Sequence, residues 1–377
     1  MKWIKVLLFA LCLLTPMTAV AADVPEEAVQ QQLLDQFDFT KIDRMMDEIF
    51  PEEKMSFLDL VTGLIGGELE FSLELIKEFI GQQFAYELTN SRTSMIHILL
   101  LVIVGAVFAN FSGLFQSTQV SEISFTVLYM LLITICLNNF RILVQVAAEN
   151  LEHLMEFMTL LGPTYFLAVG IATGSSTSVA FYQLILLLVF LAELLILNFL
   201  LPLTQIYLMM RILGEVSSDV PLTKFAEFLE TVVNWVLKTL TAGVIGLNVV
   251  QGLLTPAIDS VKRSLLTKGG EALPVIGDVI GGATEVVLGT AVLIKNGIGV
   301  AGMLVCLVVC LTPIIQMAIT TLLYQLLSAL VQPISDKRMV NCISGMASST
   351  KLLLKILVTI GVLFMLTIAV VAATTGG

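Results

Sequence analysis

Glu193 stands in the middle of an apolar run, Val179–Leu201, with Asn198 about one helical turn beyond it. More ionisable residues lie in apolar surroundings downstream. Lys238 falls inside Phe225–Val250, and Asp278, Glu285 and Lys295 accompany the glycine-rich run Gly277–Ile298. A charge placed in hydrocarbon costs about 2.5–3.5 kcal/mol or more, so such residues persist where they line a polar path, pair between helices or reach an interface. Glu193 with Asn198, and Glu285 with Lys295, are therefore candidates for a polar path or an inter-helix contact. For Lys238 and Lys295 the long side chain also permits snorkelling to an interface, which is the preferred reading for both.

Glycine supplies a second pattern. Gly277 and Gly281 form a G-x-x-x-G pair, and Gly289, Gly297, Gly299 and Gly302 extend the small-residue character. Small residues at this spacing let helices approach closely. Tight packing within the chain is the preferred reading, with oligomer contacts or pore lining as the other. Proline supplies a third pattern. Gly162-Pro163, Thr255-Pro256, Thr312-Pro313 and Gln332-Pro333 interrupt apolar stretches, and backbone freed at membrane depth must be satisfied by protein or water.

Enzyme motifs do not occur in this sequence. It has two histidines, far apart, and no H-E-x-x-H, G-x-S-x-G or P-loop. No catalytic, cofactor-binding or metal-ligating residue is assigned. Any ATP hydrolysis belongs to another subunit. Of the five cysteines, Cys12 lies in the leader, Cys136, Cys306 and Cys310 lie in apolar segments and Cys342 lies in a polar loop. There is no disulfide framework, and Cys306 and Cys310, four apart, read as small apolar residues.

The elements that must position these residues are set by composition. The 377 residues are 57% hydrophobic and 13% charged, against about 25% charged in a soluble domain. Met1–Ala22 reads as a signal peptide: Lys2 and Lys5, a short apolar core and Val20-Ala21-Ala22. Between Asp23 and Thr93 there are sixteen acidic and five basic residues, a balance equal to the chain's whole net charge of −11. An acidic exported segment argues against nucleic acid and against docking on anionic lipid. Val29, Leu33 and Phe37, then Ile42, Met45, Met46, Ile49 and Phe50, recur at helical spacing. Met55–Leu88 continues this amphipathic theme.

From Met95 onward the apolar segments reach membrane length, which is roughly 20 residues. They are Met95–Phe115, Ile123–Phe140, a short Leu160–Thr173, Val179–Leu201, Phe225–Val250, Gly277–Ile298, Ala301–Val331 and Leu352–Ala373. Arg141–Leu160, with Glu149, Glu152, His153 and Glu156, reads as an interfacial helix. The expected fold is all-α: a polytopic transmembrane bundle of about eight spans behind an amphipathic helical extracytoplasmic segment. The expected division is a signal peptide over 1–22, the acidic segment over 23–93 and the membrane domain over 94–377. With the mature N-terminus outside, Lys262, Arg263 and Lys268, and then Lys337, Arg338, Lys351 and Lys355, fall inside.

Four short runs carry a resemblance. They are Leu273-Pro274-Val275-Ile276-Gly277, Ile294-Lys295-Asn296-Gly297-Ile298-Gly299, Leu311-Thr312-Pro313 and Gln332-Pro333-Ile334-Ser335-Asp336. In this order, behind a leader and an acidic amphipathic segment, the chain resembles the stage III sporulation protein AE family. The resemblance implies a mother-cell membrane protein around the engulfed forespore, with the N-terminal segment in the intermembrane space. It implies partners as well: the other stage III membrane subunits, a separate ATPase and a forespore-side protein, together forming a channel or secretion-like apparatus needed for forespore development. No cofactor follows from it, and a homo-oligomer remains open. The reading from a different class is a stand-alone secondary transporter for a small solute, with Glu193 as its coupling residue.

Overall fold

The fold is described from a computed structural model, over residues 26–49, 56–67, 73–110, 118–173, 177–216, 222–270 and 277–374. The expected signal peptide, with Cys12, lies outside these residues. Among them the chain is helical with no strand. Three short helices open it: α1 (Glu26–Leu34), α2 (Thr40–Ile49) and α3 (Phe57–Gly66). Long helices follow: α4 (Leu73–Asn110), α5 (Thr118–Thr173), α6 (Thr177–Leu195), a π turn at Ile196–Leu200, α7 (Leu201–Val216), α8 (Leu222–Gly270), α9 (Gly277–Val331) and α10 (Lys337–Thr374).

Local chemistry sets the short helices. The amide of Thr40 donates to Asp38 Oδ1 at 3.0 Å, capping α2. Ser56 caps α3, its Oγ accepting from Leu58 N at 3.1 Å and Asp59 N at 3.4 Å. Gly67 ends α3 at φ 70°, a left-handed conformation that a residue without Cβ adopts freely. Phe57 N donates to Asp43 Oδ1 at 2.7 Å and ties α3 to α2. Ile42, Met45 and Met46 are buried at the expected spacing, while Lys41, Arg44, Asp47 and Glu48 face outward.

Six helical stretches among the described residues are long and apolar enough to cross a membrane: Ile80–Phe108, Glu122–Ala172, Leu187–Gly214, Leu222–Leu247, Val287–Val331 and Lys337–Ala372. Over the described residues, the eight apolar segments of the sequence map onto these six. Ile123–Phe140, Arg141–Leu160 and Leu160–Thr173 belong to one 56-residue helix, α5, that runs through Pro163. Gly277–Ile298 and Ala301–Val331 belong to one 55-residue helix, α9, that runs through Pro313. Leu160–Thr173 is therefore the end of a longer helix, and Ala301–Val331 is one continuous stretch through Pro313. One proline removes one backbone donor, and the rest of the helical ladder continues past it. Likewise, α4 runs without a break through residue 93. A π turn at Ile196–Leu200 comes just before Pro202, where the ring would crowd the carbonyl of Asn198; a widened turn relieves that clash.

At 1.5 Å per residue α5 is roughly 84 Å long, nearly three times a hydrocarbon core of about 30 Å. One end of α5 and the facing end of α9 are covered by α1–α3. Phe57 packs edge-on against Phe157 with ring centroids 6.5 Å apart, and Val61 and Ile65 lie against Gly297. The outer face of α2 carries exposed charges. A face of that kind belongs in water, so this end of α5 and α9 stands at the membrane surface or beyond it.

The centre of the molecule is the antiparallel pair α9–α10. The turn between them is Gln332-Pro333-Ile334-Ser335-Asp336, where Asp336 Oδ1 accepts from Arg338 N at 2.8 Å and caps α10. Arg338 also lies over the Phe125 ring, 5.7 Å from its centroid. α5 packs alongside both helices. Asn139 Nδ2 on α5 donates to Tyr324 Oη on α9 at 3.2 Å. Cys136 and Cys342, from α5 and α10, make a thiol–thiol contact beside this pair. Cys136, Cys306, Cys310 and Cys342 are all free and buried.

Candidate functional site

Buried hydroxyls in this bundle mostly serve their own helix. Thr321, Ser349, Thr350 and Thr367 each donate to the carbonyl four residues back, at 2.7, 2.9, 3.0 and 2.9 Å. Thr320 departs from this pattern. Its Oγ1 donates across helices to Glu87 Oε1 on α4, at 3.4 Å. Ser91 Oγ donates to the same oxygen at 2.8 Å, and the side chain of Asn90 also hydrogen-bonds the carboxyl. Glu87 is 5% exposed in an otherwise exposed stretch of α4.

The carboxyl lies in a cleft of about 200 Å³ lined by Gln83, Tyr86, Glu87, Asn90, Thr312 and Gln316. The cleft is built from two polar stripes. On α4, positions 83, 86, 87 and 90 share one helical face; on α9, positions 312, 316 and 320 do the same. Pro313 adjoins Thr312 and cannot donate to the carbonyl of residue 309. The cleft thus combines one carboxylate with amide and hydroxyl oxygens at a weakened point of α9. Among the described residues no basic side chain forms an ion pair with Glu87, and none forms a metal-holding group of three His, Cys, Asp or Glu.

The residues singled out by sequence are dispersed. Glu193 and Asn198 are both exposed, on α6 and in the π turn. Gly277, Gly281 and Glu285 belong to the first turns of α9, where side-chain surroundings lie outside the described residues. Lys238 is exposed. Lys295 differs from the snorkelling expectation. It is fully buried, and its Nζ donates to the carbonyl of Ala372 at 3.4 Å. That carbonyl lies in the last turn of α10, where backbone acceptors lack helical partners and the dipole favours a cation. The terminus of a neighbouring helix, rather than water, receives the charge.

The later glycines of α9 pack within the chain. A Cβ at Gly297 would lie 2.8 Å from Ile65 Cγ1, at Gly299 2.8 Å from Tyr165 Oη, and at Gly302 2.6 Å from Leu161 Cδ2. The run Ile294–Gly299 therefore seats α3 and α5 on α9. Glu87 was not among the sequence candidates, because α4 before Met95 reads as a charged outward face. The spacing 312, 316, 320 within an apolar helix is the signal that marks the cleft.

Three of the four resemblance runs now have a place: Ile294–Gly299 at the α3–α5 contact, Leu311–Pro313 at the cleft and Gln332–Asp336 at the α9–α10 turn. The family model described as stage III sporulation protein AE matches residues 55–375. A relative from Bacillus subtilis (strain 168), named stage III sporulation protein AE, is 24% identical over 309 residues, covering 81% of this chain and 77% of that one. No solved structure matches. The match begins just before α3 and runs almost to the last residue, and on that extent the chain belongs to the stage III sporulation protein AE family.

Proposed function

We infer that this chain is a multi-pass membrane subunit of an assembly linking mother cell and forespore during endospore formation. The observation that carries this reading is the family match over residues 55–375, joined to six membrane-length helices. The family is a sporulation membrane family and not a known enzyme family. Residues 1–22 are removed on export, residues 23–93 face the intermembrane space, and residues 94–377 form the membrane domain. The other stage III subunits, a separate ATPase and a forespore-side protein complete the channel or secretion-like apparatus.

Helix count supports the orientation. With the N-terminus outside and six crossings, the end of α5 and the start of α9 return to the outer side, which is where α1–α3 pack. Lys337 and Arg338 at the α9–α10 turn then lie inside, as positive residues prefer. The same count puts Lys262, Arg263 and Lys268 outside, against that preference and against the inside placement read from the sequence.

An in-frame deletion in the native organism, followed by membrane-stain microscopy, tests the function. Normal growth with forespores that engulf and then stay small or collapse is the expected result. Normal spores with a defect in solute uptake would overturn it and favour the stand-alone carrier. A carrier would draw on the Glu87 cleft, since Glu193 is exposed.

A further inference from the structure

We propose that the Glu87 cleft between α4 and α9 is a binding site for a small monovalent inorganic cation, of sodium or potassium size. The charge state of the site asks for one. Glu87 is 5% exposed, and its hydrogen-bond donors, Ser91, Thr320 and Asn90, are all neutral. No basic residue occurs on α9 between Lys295 and Lys337. A buried carboxylate with only neutral donors is costly until a positive charge joins it.

The donor set decides which cation. Every polar side chain lining the cleft offers oxygen: the Glu87 carboxylate, the amide oxygens of Gln83, Asn90 and Gln316, the Thr312 hydroxyl and the Tyr86 phenol. Oxygen-only sites take hard cations, and imidazole and thiolate are absent from the lining. A single carboxylate balances a single charge. A divalent ion would want further carboxylates, and among the described residues Glu87 is the one carboxylate lining the cleft. The volume of about 200 Å³ exceeds the ~30 Å³ that one water occupies in the liquid. The cation can therefore enter with part of its hydration shell. The pairing of Pro313 with Thr312 places this set at the point where α9 lacks one backbone donor, so that helix can yield around the ion without losing a hydrogen bond there. This site stands independently of the sporulation role.

The test uses the full chain in lipid nanodiscs, with thermal unfolding followed in sodium, potassium or choline chloride at equal ionic strength. Sodium or potassium, but not choline, raises the midpoint in a saturable way. At tenfold excess over Kd the folded-to-unfolded ratio rises about elevenfold. Glu87→Gln abolishes the rise. Equal midpoints in all three salts for the unaltered chain overturn the proposal, as does a rise that persists in Glu87→Gln. Should Glu87→Gln fail to fold, Gln316→Leu decides: a shift of the saturation point to higher cation concentration supports the site, and an unchanged response overturns it.

Discussion

Thr320 and Glu87 are 233 residues apart in sequence and joined by a 3.4 Å hydrogen bond between α9 and α4. Most buried threonine and serine hydroxyls here bond backward along their own helix, whereas Thr320 reaches across to α4. Inter-helix hydrogen bonds in membrane proteins average about 0.6 kcal/mol. A double-mutant cycle of Thr320→Val with Glu87→Gln, read by reversible unfolding in mixed micelles, is expected to give a coupling energy of that order. Strict additivity would mean that the two side chains do not interact.

Gly299 and Tyr165 make a second pair, with opposite consequences. The Tyr165 hydroxyl is buried without a hydrogen-bond partner, and a Cβ on Gly299 would lie 2.8 Å from it. Tyr165→Phe alone is expected to be neutral or stabilising, because a buried polar group without a partner costs about 1–3 kcal/mol. Gly299→Ala is expected to destabilise by about 1–3 kcal/mol through overpacking, and less when combined with Tyr165→Phe. Gly289 has nothing within 4 Å of its would-be Cβ, so Gly289→Ala should stabilise by up to about 1 kcal/mol from helix propensity. Unfolding midpoints of the four variants check the series.

These pairs also mark how far the sequence could be read. Amphipathic spacing placed Ile42, Met45 and Met46 in the core, because a 3.6-residue period is a property of the local chain. The number of helices was harder. Pro163 and Pro313 look like breaks in sequence, yet each removes only one donor, and packing against neighbouring helices decides whether the helix continues. Glu193 stood out because its neighbours are apolar, but apolar neighbours in sequence do not say whether a residue faces the bundle. Glu87 sits among polar residues and so carried no contrast. Its significance comes from α9, which no local pattern could bring beside it. Lys295 was legible as a charge at depth; its acceptor, the end of α10, was not.

Lys295 makes a local prediction. Its ammonium meets the carbonyl of Ala372 in the last turn of α10. Lys295→Met preserves length and apolar bulk while removing the charge. Hydrogen exchange of the amides in residues 368–374 is expected to accelerate, with exchange at the α9–α10 turn unchanged. Uniform acceleration along α10 would assign Lys295 a global packing role instead.

Asp38 gives a pH dependence outside the membrane. Hydrogen bonds from the Thr40 side chain and amide hold its carboxyl below the usual range, with smaller help from Lys41 and Arg44. The folded-state pKa is thus lower than the unfolded one. The stabilisation is present above the unfolded value, near 3.8, and is lost as pH falls through the folded value. Limited proteolysis within residues 26–49 is expected to speed up as pH drops from about 5 to 3. Asp38→Asn keeps an acceptor for the cap and should flatten the dependence on this group.

The acidic helices make the last prediction, which bears on recruitment. Removing residues 23–50 would test docking poorly, because Ile42, Met45 and Met46 cover apolar surface of the same chain, and the loss would destabilise whatever remained. The outward residues separate the two effects. Asp47 and Glu48 are exposed at the end of α2, and surface substitutions of this kind usually change stability by less than about 0.5 kcal/mol. The double reversal Asp47→Lys with Glu48→Lys should therefore leave the level of membrane-inserted protein unchanged. If the acidic face meets a partner in the intermembrane space, the variant should lose its accumulation around the forespore and lower the yield of heat-resistant spores. Fluorescence microscopy of a tagged chain and spore counts measure both. Full recruitment and full spore yield would leave α1–α3 with the single role of covering the ends of α5 and α9.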